Sequence, residues 1–166
     1  MSKRKKLIVI YIIVMTMILV FGAVSIYLFV KKNNEVYNSI DMQMLNNNIL
    51  EEVNFNNTRM QDISINNVNE IFNIEKEKIV DVIGRVPLFN ISAGMYVVFY
   101  VDKNNIEYVY DKIIEYGNKY ENEWATYMED QYELVKQRKI GKVENLVYLV
   151  ISENAEDVLK CLPKNN

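Results

Sequence analysis

Histidine is absent from this chain. That absence removes the commonest general base and the commonest metal ligand together. A single cysteine, Cys161, excludes a disulfide within the chain. It falls in an apolar helical pattern and reads as a small buried hydrophobe, the alternative being a reactive thiol or an intermolecular bridge. Only five glycines occur, and no Gly-rich phosphate loop or nucleophile elbow is found among them. Acidic residues are missing from the first 34 positions, while all 22 of them lie beyond.

What is present begins with Leu7–Val30, 24 consecutive residues without a charge. As a helix this stretch is about 36 Å long, against about 30 Å for a hydrocarbon core. Lys3, Arg4, Lys5 and Lys6 precede it, and Lys31 and Lys32 follow. Four basic residues before against two after predict a cytoplasmic N-terminus and an extracytoplasmic C-terminal domain. The run is longer than the apolar region of a secretory signal peptide, so an uncleaved anchor is expected. Ala23-Val24-Ser25 leaves a weak cleavage site as the alternative. The expected organisation is a basic N-terminus and signal-anchor helix over 1–32, a linker over 33–38, and one extracytoplasmic domain over 39–166.

From Asn33 onward there are 13 basic and 22 acidic residues, a net charge of −9. No basic face remains to neutralise phosphates, which argues against nucleic-acid binding. The same charge makes the domain a poor fit for lying flat on an anionic lipid surface. Asparagine is abundant at 22 residues and reads as compositional bias. The triplets Asn56-Asn57-Thr58 and Asn90-Ile91-Ser92 carry little weight against that background.

The domain opens with a helix from about Glu35 or Ser39 to Val53, on which Val36, Ile40 and Met44, and then Met42, Leu45, Ile49 and Val53, give overlapping helical spacings. Thr58–Ile63 reads as an extended piece, and Ser64 as the N-cap of a short helix through Phe72. Ile79–Val86 alternates apolar and polar residues and ends at Pro87, as a strand would. Pro87–Gly94 is a loop. Met95–Val101 is apolar on both faces, the mark of a central strand or of one with a face kept for a partner. Asp102 is expected to cap a long helix with Ile106, Val109, Tyr110, Ile113, Gly117, Tyr120 and Trp124 on its apolar stripe. Gly117 costs helix propensity and suits a close approach to the sheet. A second helical run follows from Met128 to Lys139. A hairpin turning at Glu144-Asn145 leads into the doubly apolar strand Leu146–Ile151, and a last helix ends before Pro163. This order predicts an α+β fold with a largely antiparallel sheet packed by helices, a ferredoxin-like arrangement being the nearest template.

The pattern MQDISINNVNEIFNI, the strand YVVFYV before Asp102, the Tyr127 region and the block KVENLVYLVISENAEDVLKCL resemble a bacterial family. It is catalogued as domain of unknown function 4358 and found mostly in Firmicutes. The resemblance covers nearly all of residues 39–162. It implies an exported protein with an N-terminal anchor; many members carry a lipid-type cysteine after the apolar segment, and this chain has none there. It implies no activity, and therefore no catalytic residues.

Glu107, Asp111 and Glu115 share one helix face, with Glu121, Glu123, Glu129, Asp130 and Glu133 beyond. They read as a solvated face, with Glu115 and Lys119 paired at i,i+4. A weak calcium site is the alternative, but it needs an oxygen-rich loop that the sequence does not show. No catalytic residue, cofactor or metal is expected, and the chain is not read as an enzyme. If the helices all pack on one sheet face, Tyr96, Val98, Tyr100 and Tyr148 are left as a partly open interaction face. Cover by residues 36–75 or by the loop holding Phe89 is the alternative. Trp124 and Tyr127 read as helix-junction residues or as a ligand platform. The expected function is a membrane-anchored protein-interaction module at the cell envelope. Its partners would be the membrane, through one spanning helix, and an unknown envelope protein or a second copy. A binding domain for a small envelope ligand or peptide is the second expectation.

Overall fold

The computed structural model describes Arg4 and residues 13–28, 40–53 and 59–164. The chain divides into two units, Met1–Ile40 and Asp41–Asn166. In the first, residues 13–28 are helical (α1) and their side chains are exposed. Among the described residues no helix is long and apolar enough to cross a membrane. The rest of the predicted Leu7–Val30 span, and the linker 33–38, lie outside the described residues.

The second unit is α+β. It runs α2 (Met42–Glu52), β1 (Met60–Asp62), α3 (Val68–Phe72), β2 (Asp81–Pro87), β3 (Met95–Tyr100), α4 (Ile106–Trp124), α5 (Glu129–Lys136), β4 (Lys139–Val143), β5 (Leu146–Ile151) and α6 (Ala155–Cys161). The five strands lie in the order β1-β2-β3-β5-β4, and every neighbouring pair is antiparallel. The two doubly apolar segments, β3 and β5, are the central pair. Tyr100 lies opposite Leu146, and Met95 opposite Ile151. β3 and β4 therefore run parallel with β5 between them, and α4–α5 form the crossover.

This split β-α-β unit is the part shared with a ferredoxin-like sheet. The rest departs from that template. The strand on the other side of β3 is β2, which precedes β3 through a hairpin, and β1 adds a fifth strand. The helices are also divided between the two sheet faces. Met95, Val97 and Phe99 join Val82, Val86, Val147, Leu149 and Ile151 in a core closed by α3, α4 and α5. The opposite face is covered by α2, which packs on β2, and by α6, which packs on β5 and α2.

Local chemistry explains these placements. Asp41 caps α2 by accepting a hydrogen bond from the Met44 N–H at 2.9 Å, and Met42, Leu45 and Ile49 turn inward. Asp102 acts differently from expectation. Its side chain makes no cap; it precedes a 3₁₀ turn, Lys103–Asn105, that leads into α4. Gly117 sits where a Cβ would lie 2.8 Å from Ile140 Cδ1 and 3.0 Å from Arg138 Nε, so the glycine lets α4 approach β4. α5 ends at Lys136, short of the expected Lys139, because Lys139 already opens β4.

Rings run in a series from the core along α4. Phe99 meets Phe72 edge-on at 5.6 Å, and Phe72 meets Tyr116 at 4.6 Å. Tyr120, Trp124 and Tyr127 continue outward. Tyr120 donates to the Ala93 carbonyl at 3.4 Å, and Tyr96 donates to Asn46 Oδ1 of α2 at 2.8 Å. Burial pushes the Tyr96 and Tyr120 phenols up to about 12 and raises that of Tyr116 as well. An unfolded tyrosine ionises near 10. The neutral phenols thus contribute stability that is complete below about pH 10 and is lost as pH rises through 12. Alkaline titration followed at 295 nm and by far-UV dichroism is expected to show unfolding setting in between those limits. An unfolding midpoint in denaturant that stays constant from pH 10 to 12 contradicts this.

Candidate functional site

The expectation that all helices pack on one sheet face is corrected by α2 and α6. Their presence divides the four residues Tyr96, Val98, Tyr100 and Tyr148. Tyr96 and Val98 are fully buried, and the Tyr96 hydroxyl is bound to α2. Those two residues belong to the second core rather than to an open face. Tyr100 and Tyr148 are half-buried. Val98 lies opposite Tyr148 and Tyr100 opposite Leu146, so the two half-buried tyrosines are diagonal neighbours on one face.

Tyr148 also reaches the edge of the sheet. Its ring lies over Gly141 of β4, where any Cβ would collide with the phenol. Glycine at 141 is what lets the ring fold across the edge strand. Burial, followed by the nearby Tyr110, raises the Tyr148 phenol. Tyr110 carries the Lys142 ammonium 4.9 Å from its ring centroid, and Lys142 is paired with Glu107. Tyr108 adds a further half-buried ring, with Lys78 at 5.8 Å and a 3.4 Å hydrogen bond to Glu75. Tyr110 belongs to the expected apolar stripe of α4 and Tyr108 sits beside it; both are half-buried. Half-buried tyrosines with lysines over their rings give contact area at low entropic cost, as binding surfaces use.

Glu107, Glu115, Glu121 and Glu123 of α4 are each ion-paired. Glu115 pairs with Lys112 at 3.0 Å, and Lys119 with Glu123 at 3.7 Å, in place of the expected Glu115–Lys119 pair. Glu121 pairs with Arg138 at 2.5 Å, and Glu156 with Lys139 at 2.7 Å. Lysines at 139 and 142 on the edge strand also discourage pairing with a foreign strand. Among the described residues, no three of His, Cys, Asp and Glu are gathered in a way that would hold a metal. Cys161 is half-buried on α6, and burial raises its thiol, which lowers its reactivity at neutral pH.

At the opposite end of the sheet, the β2–β3 loop presents Leu88, Phe89 and Ile91 to solvent. Sequence pattern alone did not separate them from cover residues. Beyond the loop, Trp124 is buried at 3 % exposure while Tyr127 and Met128 are exposed.

The family described as Domain of unknown function (DUF4358) matches residues 53–152. The chain belongs to it. The DUF4358 match runs from the end of α2 through β5, so it takes in the whole five-stranded sheet and both ends described above. Comparison with curated proteins and with solved structures gave no match.

Proposed function

We propose that this DUF4358 chain is a membrane-anchored, extracytoplasmic module of an exported bacterial protein. It acts by binding an envelope protein or a second copy of itself, without catalysis. The anchor reading is supported by the 24-residue uncharged run and its basic flanks. The observation that carries the binding reading is the tyrosine-rich end of the sheet. Helices cover both faces, yet Tyr100 and Tyr148 stay half-open as diagonal neighbours on one face, with Tyr110 near the Tyr148 phenol.

The test uses the full chain in its own membranes. A Tyr100→Ser, Tyr148→Ser double variant is solubilised and purified beside the wild type, with Trp124 fluorescence checking the fold. Loss of a co-purifying protein, or of a second copy, by about tenfold or more is expected, since aromatic anchors dominate interface energy. Recovery of the same proteins in the same yield sinks the binding site. Protease shaving of intact cells tests the topology independently, because a protected domain reverses the orientation.

A further inference from the structure

The β2–β3 loop is built differently from the tyrosine end. Leu88, Phe89 and Ile91 are 50 %, 53 % and 60 % exposed within four residues of one loop, beside Met44, Val80, Tyr127 and Met128 as the other exposed large apolar side chains of the described domain. From Val86 to Val101 the chain carries no charge. The loop is held in place by its own N–H groups. Leu88 donates to the Arg59 carbonyl at 2.9 Å, and Ile91 to the Phe89 carbonyl at 2.8 Å. Ala93 donates to Gln131 Oε1 at 2.8 Å, and Gly94 to Ser92 Oγ at 3.3 Å. A loop with these donors already paired loses less on leaving water than an open one does.

We infer that this loop is a second membrane contact, docking Leu88, Phe89 and Ile91 into the neutral interfacial layer of the bilayer that holds the anchor. The inference rests on the membrane-anchor reading above. Three side chains fall far short of the roughly 800 Å² per partner of a standard protein interface, whereas a lipid surface needs no matching partner shape. The acidic balance of the domain, with Glu129 and Asp130 next to Gln131, selects a zwitterionic surface over an anionic one. Docked this way, the domain turns Tyr100, at the other end of β3, away from the lipid.

The full chain is reconstituted in phosphatidylcholine vesicles with and without brominated acyl chains. Phe89→Trp and Ile91→Trp are compared with Val80→Trp, an exposed position beside Tyr100 at the opposite end of the sheet. Native Trp124 fluorescence is the baseline. Quenching of the loop tryptophans about threefold or more above the Val80→Trp control is expected, because interfacial side chains sit at acyl depth. Equal quenching at all three positions, in chain that resists alkaline carbonate, overturns the docking and leaves the anchor standing. Chain stripped by carbonate overturns both. A blue shift of the loop tryptophans that follows protein-to-lipid ratio without bromine quenching assigns the loop to a second copy. A shift that needs added membrane proteins assigns it to a protein. Either of these last two results overturns the lipid contact.

Discussion

Replacing Gly84 with alanine is expected to destabilise the domain by about 3 kcal/mol or more. Gly84 lies in β2 opposite Val97 of β3. A Cβ there would stand 2.8 Å from the Val97 Cα and 3.1 Å from its Cβ, and closer still to the Tyr96 carbonyl oxygen. Those atoms are mostly backbone of the central strand, so no rotamer change relieves the clash. Its own carbonyl accepts the Ile63 N–H at 2.8 Å, which ties the end of β1 to the same point. A shift of β2 therefore disturbs two strand pairings at once. Urea unfolding of the full chain in detergent, followed by Trp124 fluorescence, gives the measurement. For a domain of this size the same loss lowers the midpoint temperature by about 10 °C. A change below about 1 kcal/mol shows that β2 and β3 can separate without cost, contrary to this account.

Phe99→Ala is expected to cost about 3–5 kcal/mol, a third or more of a typical domain's stability. Phe99 is fully buried at the centre of β3 and meets Phe72 edge to face, with an interplanar angle of 87°. Removing the ring takes away its buried area, leaves a cavity and deprives Phe72 of its neighbour. Phe72 in turn packs on Tyr116, so the loss reaches the packing of α4 on the sheet. Phe99→Leu keeps most of the volume and is expected to cost about 1 kcal/mol. Equal losses for leucine and alanine would show that the ring contact, and not the filled volume, sets the stability.

The central strands were legible because their physics is local. Segments such as MYVVFYV and LVYLVI are apolar on both faces, as a central strand covered on both sides is. The stripe Ile106, Val109, Tyr110, Ile113, Gly117, Tyr120 and Trp124 on α4 was legible for the same kind of reason; five of the seven are buried, while Ile106 and Tyr110 at its N-terminal end are half-buried. What covers the second face was not legible. Met42, Leu45 and Ile49 state that α2 buries one side, but nothing in them states against what. The partial loss of the expected tyrosine face follows from that single gap. Tyr96 is bound to α2 and Val98 is buried beside it, while Tyr100 lies at the far end of β3 and Tyr148, level with Val98, folds over Gly141 to the sheet edge. The apolar hairpin was likewise hidden, since Leu88, Phe89 and Ile91 have the composition of core residues. Only their place at a strand end puts them in water.

The pairing of β3 with β5 has a kinetic consequence. Tyr100 meets Leu146 across forty-five intervening positions of chain, with α4, α5 and β4 between them. The hairpins β2–β3 and β4–β5 can form early from neighbours in sequence, but the sheet closes only by joining them. Loop-closure entropy makes that junction the slow event. During synthesis, β3 therefore waits with one edge open until Leu146–Ile151 has emerged. The interval between the two strands is where this chain is most exposed to misassembly with its neighbours.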